Sequence, residues 1–570
     1  MSASSLYDDL RVFESENGPT GLPEFSASSK NVVDINDNNQ GNYSGGQIVL
    51  DLNSLVSSED FLDMGASYLT VPITMTATSS VATGGIIDNL ANMFAMTFKG
   101  SNLAIINSIN VTCSNKQLVG NTQMSQIVNH WKLVTQQNRN DVDAIGATLG
   151  FQKDTSRTIA WNSTIGETNN NLSTANPNGL YSAAGLQNTG MFNRCVKQAV
   201  ATSDPNFNSY AYGSVVTTDR KSSVSWTTTT VSPVFPAVTF QLYLEIPMKD
   251  LHDLFKQMPL CRGALWQMVI STHLPCSFTA TLASTAAGTQ VQWGCGNGPS
   301  TSLYQFIPFM VAQPCTLNGT TAAIAQGAPV LPATTAQTFT FAASIGNTQA
   351  TLTTFHAVQY KLNPTLASKY MANPRKRIVF MDYIRCAPAA LTNVLAGATN
   401  SLVANLCPGI SKVRGLLIVP YISATGSGLA GNGTVTGMSA LQSPFSSCGA
   451  TTAPWHFIDQ FNVLIGGRAI WQKPLTYRYD AFLREQFGVN APNGNGVEGL
   501  RVGLIDEDDY NSGYGYIYVN LERHLASSDD LPVSVDVQFQ TNYVQSLSYN
   551  CFIFFEKEFS LDCSNGKILV

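Results

Sequence analysis

Apolar and polar residues alternate with a period of two through much of this chain, the mark of half-buried β-strands. In 533–540 the apolar positions are Val533, Val535, Val537 and Phe539, while Ser534, Asp536, Gln538 and Gln540 point the other way. Ile48, Leu50 and Leu52 alternate in the same manner with Gln47, Val49 and Asp51. Helical spacing is rarer and short. Met124, Ile127, Val128, Trp131 and Val134 fall on one helix face, as do Tyr479, Phe482, Leu483 and Phe487. A third short helix is expected near Met248–Gln257, with Leu251, Leu254 and Phe255 inward. Such stripes mark core contacts and not ligand boxes.

The elements occur twice. Leu69-Thr70-Val71-Pro72 ends a strand that is followed by a variable loop, a hairpin and an amphipathic helix, and Leu417-Ile418-Val419-Pro420 opens the same series. The hairpins match at a constant offset of 352, with Ile109 on Phe461, Asn110 on Asn462, Val111 on Val463, Lys116 on Arg468 and Leu118 on Ile470. A closing block matches Leu242-Tyr243-Leu244 to Ile517-Tyr518-Val519 at an offset of 275, then a proline (Pro259, Pro532) and another strand. The two offsets differ by 77, so the first copy carries about that many extra residues, placed at about 140–238. A long insertion between strands is tolerable because loop-closure entropy grows slowly with length. Segments 281–350 and 388–410 are expected to be similar polar excursions. The copies meet between Asn363-Pro364 and Arg375-Lys376-Arg377. The expected organisation is a polar acidic N-terminal arm (1–45), a first sandwich (46–374) and a second (375–570), packed side by side.

Composition narrows the class. A chain of 570 residues exceeds one core. Charged residues are only 12% against about 25% in ordinary soluble proteins. Neutral polar surface of that kind suits β-structure with long loops and faces buried against other copies. The net charge of −6 argues against bulk electrostatic binding of nucleic acid. The arm sharpens this, with Asp8, Asp9, Glu14, Glu16, Glu24, Asp34 and Asp37 against Arg11 and Lys30. No signal peptide is evident, and no apolar run approaches the ~20 residues of a membrane-spanning helix. Eleven cysteines without C-x-x-C suggest reduced thiols in an intracellular product. Triplets such as Asn110-Val-Thr112 are then chance glycosylation matches.

The search for chemistry excludes more than it finds. His130, His252, His273, His356, His456 and His524 do not pair at metal-ligand spacing, and neither H-E-x-x-H nor G-x-S-x-G occurs. Gly426, Gly428 and Gly431 match a dinucleotide glycine pattern, but the residues after them will not open a helix. Asp506-Glu507-Asp508-Asp509 is the one metal candidate. Asp506, Asp508 and Asp509 could offer oxygen ligands to Ca²⁺, but they lack EF-hand spacing and a solvated loop is the plainer expectation. Arg375-Lys376-Arg377 is the one tight basic cluster, and capping of the domain junction or pairing with acids is expected before phosphate binding. No catalytic residue, metal site or cofactor is expected.

The order of strands, hairpin, helix and later strands, run twice, resembles the double jelly-roll major capsid proteins of the adenovirus-hexon, virophage and polinton-like virus lineage. Four stretches carry the resemblance: Tyr43-Ser-Gly-Gly-Gln-Ile-Val-Leu-Asp51, Ser67-Tyr-Leu-Thr-Val-Pro72, Tyr360-Lys-Leu-Asn-Pro364 with 375–384, and 516–524 with the strands after it. The resemblance implies an all-β chain of two tandem eight-stranded jelly-roll sandwiches with short helices and long loop insertions. It implies a homotrimer of pseudo-hexagonal outline in the icosahedral shell of a double-stranded DNA virus, located in the virion. Its partners would be neighbouring capsomers, penton and minor capsid proteins, with an internal membrane nearby in some members and no sequence-specific nucleic-acid contact. A β-sandwich adhesin or receptor-binding fibre protein is the alternative reading. A jelly-roll carbohydrate-active enzyme is the third, and it would need a pair of carboxylates in a cleft.

Overall fold

A computed structural model of the chain describes residues 27–569 except 57, 80–94, 121, 152, 154–222, 228–236, 283–307, 313–336, 348–349, 387–390, 392–397, 423–452, 454, 487–502, 523–529 and 544–546. The first half contributes β1 (Ala27–Asn36), β2 (Gln47–Asp51), β3 (Phe61–Ser79), β4 (Ala95–Phe98), β5 (Ile106–Cys113), β6 (Lys116–Val119) and β7 (Ser223–Thr227). It continues with β8 (Ala237–Pro247), β9 (Trp266–Thr272), β10 (Cys276–Leu282), β11 (Phe309–Ala312), β12 (Gln337–Ile345) and β13 (Thr354–Leu362). Eight of these form a frame. One sheet runs β1-β13-β3-β8 and the other β2-β9-β5-β6. The alternating apolar side chains meet between them, with Leu69, Val71, Ile48, Leu50, Ile109, Val111, Met268 and Ile270 all buried.

The second half repeats the frame with β14 (Arg375–Cys386), β15 (Asn400–Ile410), β16 (Val413–Ile422), β17 (Phe457–Ile465), β18 (Arg468–Ala469), β19 (Leu475–Tyr477), β20 (Ile517–Asn520), β21 (Val533–Asn542), β22 (Leu547–Asp562) and β23 (Lys567–Leu569). Its sheets run β14-β22-β16-β20 and β15-β21-β17-β18. Counting frame strands in chain order, each unit has a first-eighth-third-sixth sheet opposite a second-seventh-fourth-fifth sheet. That double Greek key is the jelly roll, so the chain is a double jelly roll. The 352 offset holds at the level of facing. Ile109 and Val111 point into the first core, and Phe461 and Val463 into the second.

The helices are α1 (Ser125–Gln136), α2 (Arg139–Leu149), α3 (Met248–Leu251), α4 (Asp253–Gln257), α5 (Pro364–Ala372), α6 (Tyr479–Gln486) and α7 (Glu507–Gly513). The stripe expected at 124–134 is α1, and that expected at 479–487 is α6 as far as Gln486, Phe487 lying outside the described residues. The third expected helix is two, broken at His252, whose extended backbone (φ −157°, ψ 147°) ends α3 and caps α4.

One connection sets the polarity of the whole molecule. Ala27 pairs with Leu362 at one end of the first sandwich, and Arg375 pairs with Asp562 at one end of the second. Only α5 lies between Leu362 and Arg375, so those two ends form one common base. Tight turns at 114–115, 411–412 and 466–467 close at this base. The long connections (80–94, 120–236, 283–336, 387–399, 423–456 and 470–516) leave from strand ends at the other end. The added residues expected at 140–238 belong there; most of them lie outside the described residues.

Several expectations need correction. The arm does not reach residue 45, because β1 is the first frame strand and hydrogen-bonds along β13 from Ala27 to Asn36. Its polar flanks disguised it, but Val32, Val33 and Ile35 give it strand character. Residues 400–410 are not an excursion but β15, and 337–345 within the excursion expected at 281–350 form β12. The strand containing Pro72 does not end there. β3 pairs with β13 as far as Thr70 and with β12 from Ile73 onward. The Pro72 carbonyl accepts from Gly346 N at 2.8 Å on that same edge, so its missing N–H falls in the gap between partners and costs no ladder bond. The match of Leu69 to Leu417 also fails on facing. Leu69 points into its core, between Tyr68 and Thr70 on the outer face, whereas Leu417 lies opposite Tyr518, whose ring is outside the second core. The two strands are equivalent, but the four-letter match slips their register by an odd number of residues.

Candidate functional site

The junction between the two sandwiches concentrates the molecule's buried polar chemistry. It starts from α1, whose Trp131 is fully buried and stacks on Tyr518 of β20 at 5.2 Å, with Phe554 of β22 at 5.6 Å. The second unit's first sheet is consequently dry on both faces: Leu416–Val419, Ile517–Val519 and Cys551–Phe554 are at most 1% exposed. That explains why these strands are continuous apolar runs and not alternating ones. The end of α1 is finished by the other unit, since Leu504 N donates to the Val134 carbonyl at 2.8 Å. Gly503 (φ +67°) makes this approach possible, because a Cβ there would collide with the carbonyls of Val134 and Thr135. Lys153 then crosses to the Leu504 carbonyl at 2.6 Å and to the Asp509 carboxylate.

A second contact joins α3 and α4 to β14. Asp382 is fully buried and receives Lys557 Nζ at 2.6 Å and His252 Nε2 at 3.4 Å. His252 Nδ1 accepts from Leu254 N at 3.1 Å, which turns Nε2 toward Asp382 beside the Lys557 ammonium. Burial raises the Asp382 carboxyl pKa, but the His252 hydrogen bond and Lys557 together outweigh it and hold it below the ordinary value. Asp253 also caps the free edge of β14, accepting from Met381 N at 3.0 Å. Nearby, burial lowers Lys132 to about 8, against the opposing pull of Asp253 and Asp382. At the base, Ser114 Oγ donates to the Gly566 carbonyl at 2.7 Å, and Tyr370 Oη donates to the Leu260 carbonyl at 2.8 Å.

The residues singled out in the sequence take structural places. Asp506 is the N-cap of α7, accepting from Asp509 N at 2.7 Å, and Asp509 holds Lys153, while Asp508 is exposed. The expected solvated loop is therefore the first turn of a helix. Among the described residues no group of three or more His, Cys, Asp or Glu could hold a metal ion. Arg377 forms a two-pronged pair with Glu558 (2.6 and 2.7 Å), and Lys376 lies over the Tyr370 ring at 4.9 Å. His130 packs edge-on to Phe151, and His456 Nε2 meets Tyr549 Oη at 2.9 Å. Burial, with Lys99 nearby, lowers His273 to about 4. His524 and the glycines at 426, 428 and 431 lie outside the described residues. The seven described cysteines are all free thiols, and burial pushes Cys113 and Cys386 up to about 12.

One cluster escaped sequence reasoning because its members are far apart in the chain. His356 Nδ1 meets Asp34 Oδ1 at 2.6 Å, its Nε2 meets Thr70 Oγ1 at 2.9 Å, and its ring stacks on Tyr68 at 4.5 Å. The spacing is that of a hydroxyl–imidazole–carboxylate relay. It lies flat on the outer face of β1-β13-β3, where ladder pairing occupies the neighbouring backbone N–H groups that an oxyanion would need. Its place in the fold is to tie three strands together.

No protein-family model and no curated protein matches the chain. Solved structures to which the chain shows similarity include the Sputnik virophage structure by cryo-EM (TM-score 0.47, 14% identity, 97% of this chain and 90% of that chain). The mavirus major capsid protein is similar at TM-score 0.45 and 9% identity, over 97% of this chain and 92% of that one. The Faustovirus major capsid protein is similar at TM-score 0.37 and 9% identity, over 99% and 98%. The strand order of this chain, read from its own pairing, makes it a tandem pair of jelly rolls standing on a common base.

Proposed function

We propose that this chain is a major capsid protein of a double-stranded DNA virus. Three copies form a capsomer whose six sandwiches have a pseudo-hexagonal outline, and such capsomers tile an icosahedral shell together with penton and minor capsid proteins. The observation that carries this reading is the repeated strand order with a shared polarity. Two sandwiches of one plan stand upright on one base, so three chains can occupy a six-fold place in a lattice. The ring closes through heterologous contacts, which prevents open-ended growth. Scarcity of charge favours the reading further, because the flanks of such a ring are dry. The N-terminal segment would lie on the inner side with the base, and the long connections would face outward.

The test is light scattering coupled to size exclusion, followed by negative-stain imaging. Expected are particles of three times the 61.3 kDa chain mass with a hexagonal footprint. A monodisperse monomer at micromolar concentration would sink the proposal.

A further inference from the structure

We propose that the base carries a docking strip for the acidic N-terminal segment of this chain. The strip lies along the connection between the sandwiches. From 361 to 381 the chain holds Lys361, Lys369, Arg375, Lys376 and Arg377 and no acidic residue. Lys361, Lys369, Arg375 and Arg377 are exposed, as is Lys30 on the neighbouring strand. Arg377 is engaged by Glu558, and Arg375 stands opposite Asp562 across the ladder. Glu558 and Asp562 on β22 and Asp63 beside Lys30 offset part of this charge, yet the connection itself carries five bases and no acid within a chain whose net charge is −6.

Residues 1–26 have the complementary charge. They carry Asp8, Asp9, Glu14, Glu16 and Glu24 against a single Arg11. Their point of departure is fixed by β1. Ala27 pairs with Leu362, so the segment leaves the fold at the base beside Lys361 and within a few residues of α5. A segment of 26 residues can extend up to about 90 Å, which covers the strip and a neighbouring copy's base alike. Opposite charge at that departure point makes the strip its nearest electrostatic partner, and the attraction falls off over a Debye length of about 10 Å at 0.1 M salt. The inference does not depend on the capsid reading, since it needs only one folded chain.

The experiment couples carboxylates to amines in the full-length protein with a zero-length carbodiimide and maps the joined peptides by mass spectrometry. Amide links from Asp8, Asp9, Glu14, Glu16 or Glu24 to Lys361, Lys369 or Lys376 are expected. They should drop about fivefold or more at roughly 0.5 M salt. A variant with those five acids changed to Asn or Gln leaves the folded body intact, and trypsin should then cut after Arg11 several-fold faster than in the parent. Lys361→Gln with Lys369→Gln should give the same acceleration. Coupling of the segment to remote lysines such as Lys473 as often as to the strip would overturn the proposal. So would cleavage at Arg11 that ignores both salt and substitution, or a base that captures anionic vesicles while the segment stays open to trypsin.

Discussion

At the level of single residues, the junction depends on a few side chains whose surroundings decide their chemistry. Trp131 has no exposed surface, and its ring replaces solvent over Tyr518 and Phe554. Trp131→Ala should cost about 3–5 kcal/mol, because the lost transfer energy is joined by that of a cavity between two sheets that cannot collapse. Urea denaturation followed by far-UV circular dichroism measures it, and a loss below about 1 kcal/mol would mean the junction repacks freely. Lys132 gives a pH signature. Its folded pKa of about 8 lies below the unfolded value of about 10.4, so between these limits the unfolded chain binds more protons. Stability should therefore rise as pH increases from about 8 to about 10, and Lys132→Met should remove that component of the slope. Equal slopes in the two proteins would show that the ammonium is not desolvated.

At the level of elements, short helices were the least legible. The sequence marks 363–374 as the boundary between the copies, yet 364–372 folds as α5. Both signals of a helix start are present: Asn363 accepts from Thr365 N at 3.1 Å, and Pro364 occupies the first turn, where its missing N–H costs nothing. Asp506 with Glu507, Asp508 and Asp509 is a second start of this kind, with acids at the positive end of α7. Consecutive acids suit a cation as well as the positive end of a helix, so their charge alone does not separate metal binding from capping. Since α5 is the covalent link between the two sandwiches at their base, its cap is a fair probe. Asn363→Ala should cost about 1 kcal/mol, read as a shift in thermal midpoint by calorimetry, and restoration by Asn363→Ser would assign the loss to the cap. No restoration would place the effect elsewhere.

At the level of the whole molecule, the two sandwiches share a plan without sharing an environment. The second unit's first sheet is buried on both faces, whereas the first unit's equivalent sheet presents Tyr68, Thr70 and His356 at a half-buried outer face. The second sandwich is therefore not an independent module. Residues 375–570 expressed alone would bare Tyr383, Tyr518, Phe552 and Phe554 as one aromatic patch and should aggregate or bind a hydrophobic dye. A soluble, cooperatively unfolding monomer of that fragment would show that α1 covers a surface which needs no cover. The sequence by itself determined the duplication, the strand character, the hairpin register and the helices α1 and α6, because these rest on local periodicity and on offsets countable along one chain. Only the tertiary structure decided that α1 covers the outer face of the second unit's first sheet, where β3 changes partner at Pro72, and that His252, Asp382 and Lys557 meet. Those outcomes depend on contacts between residues more than a hundred positions apart, and no period in the sequence records them.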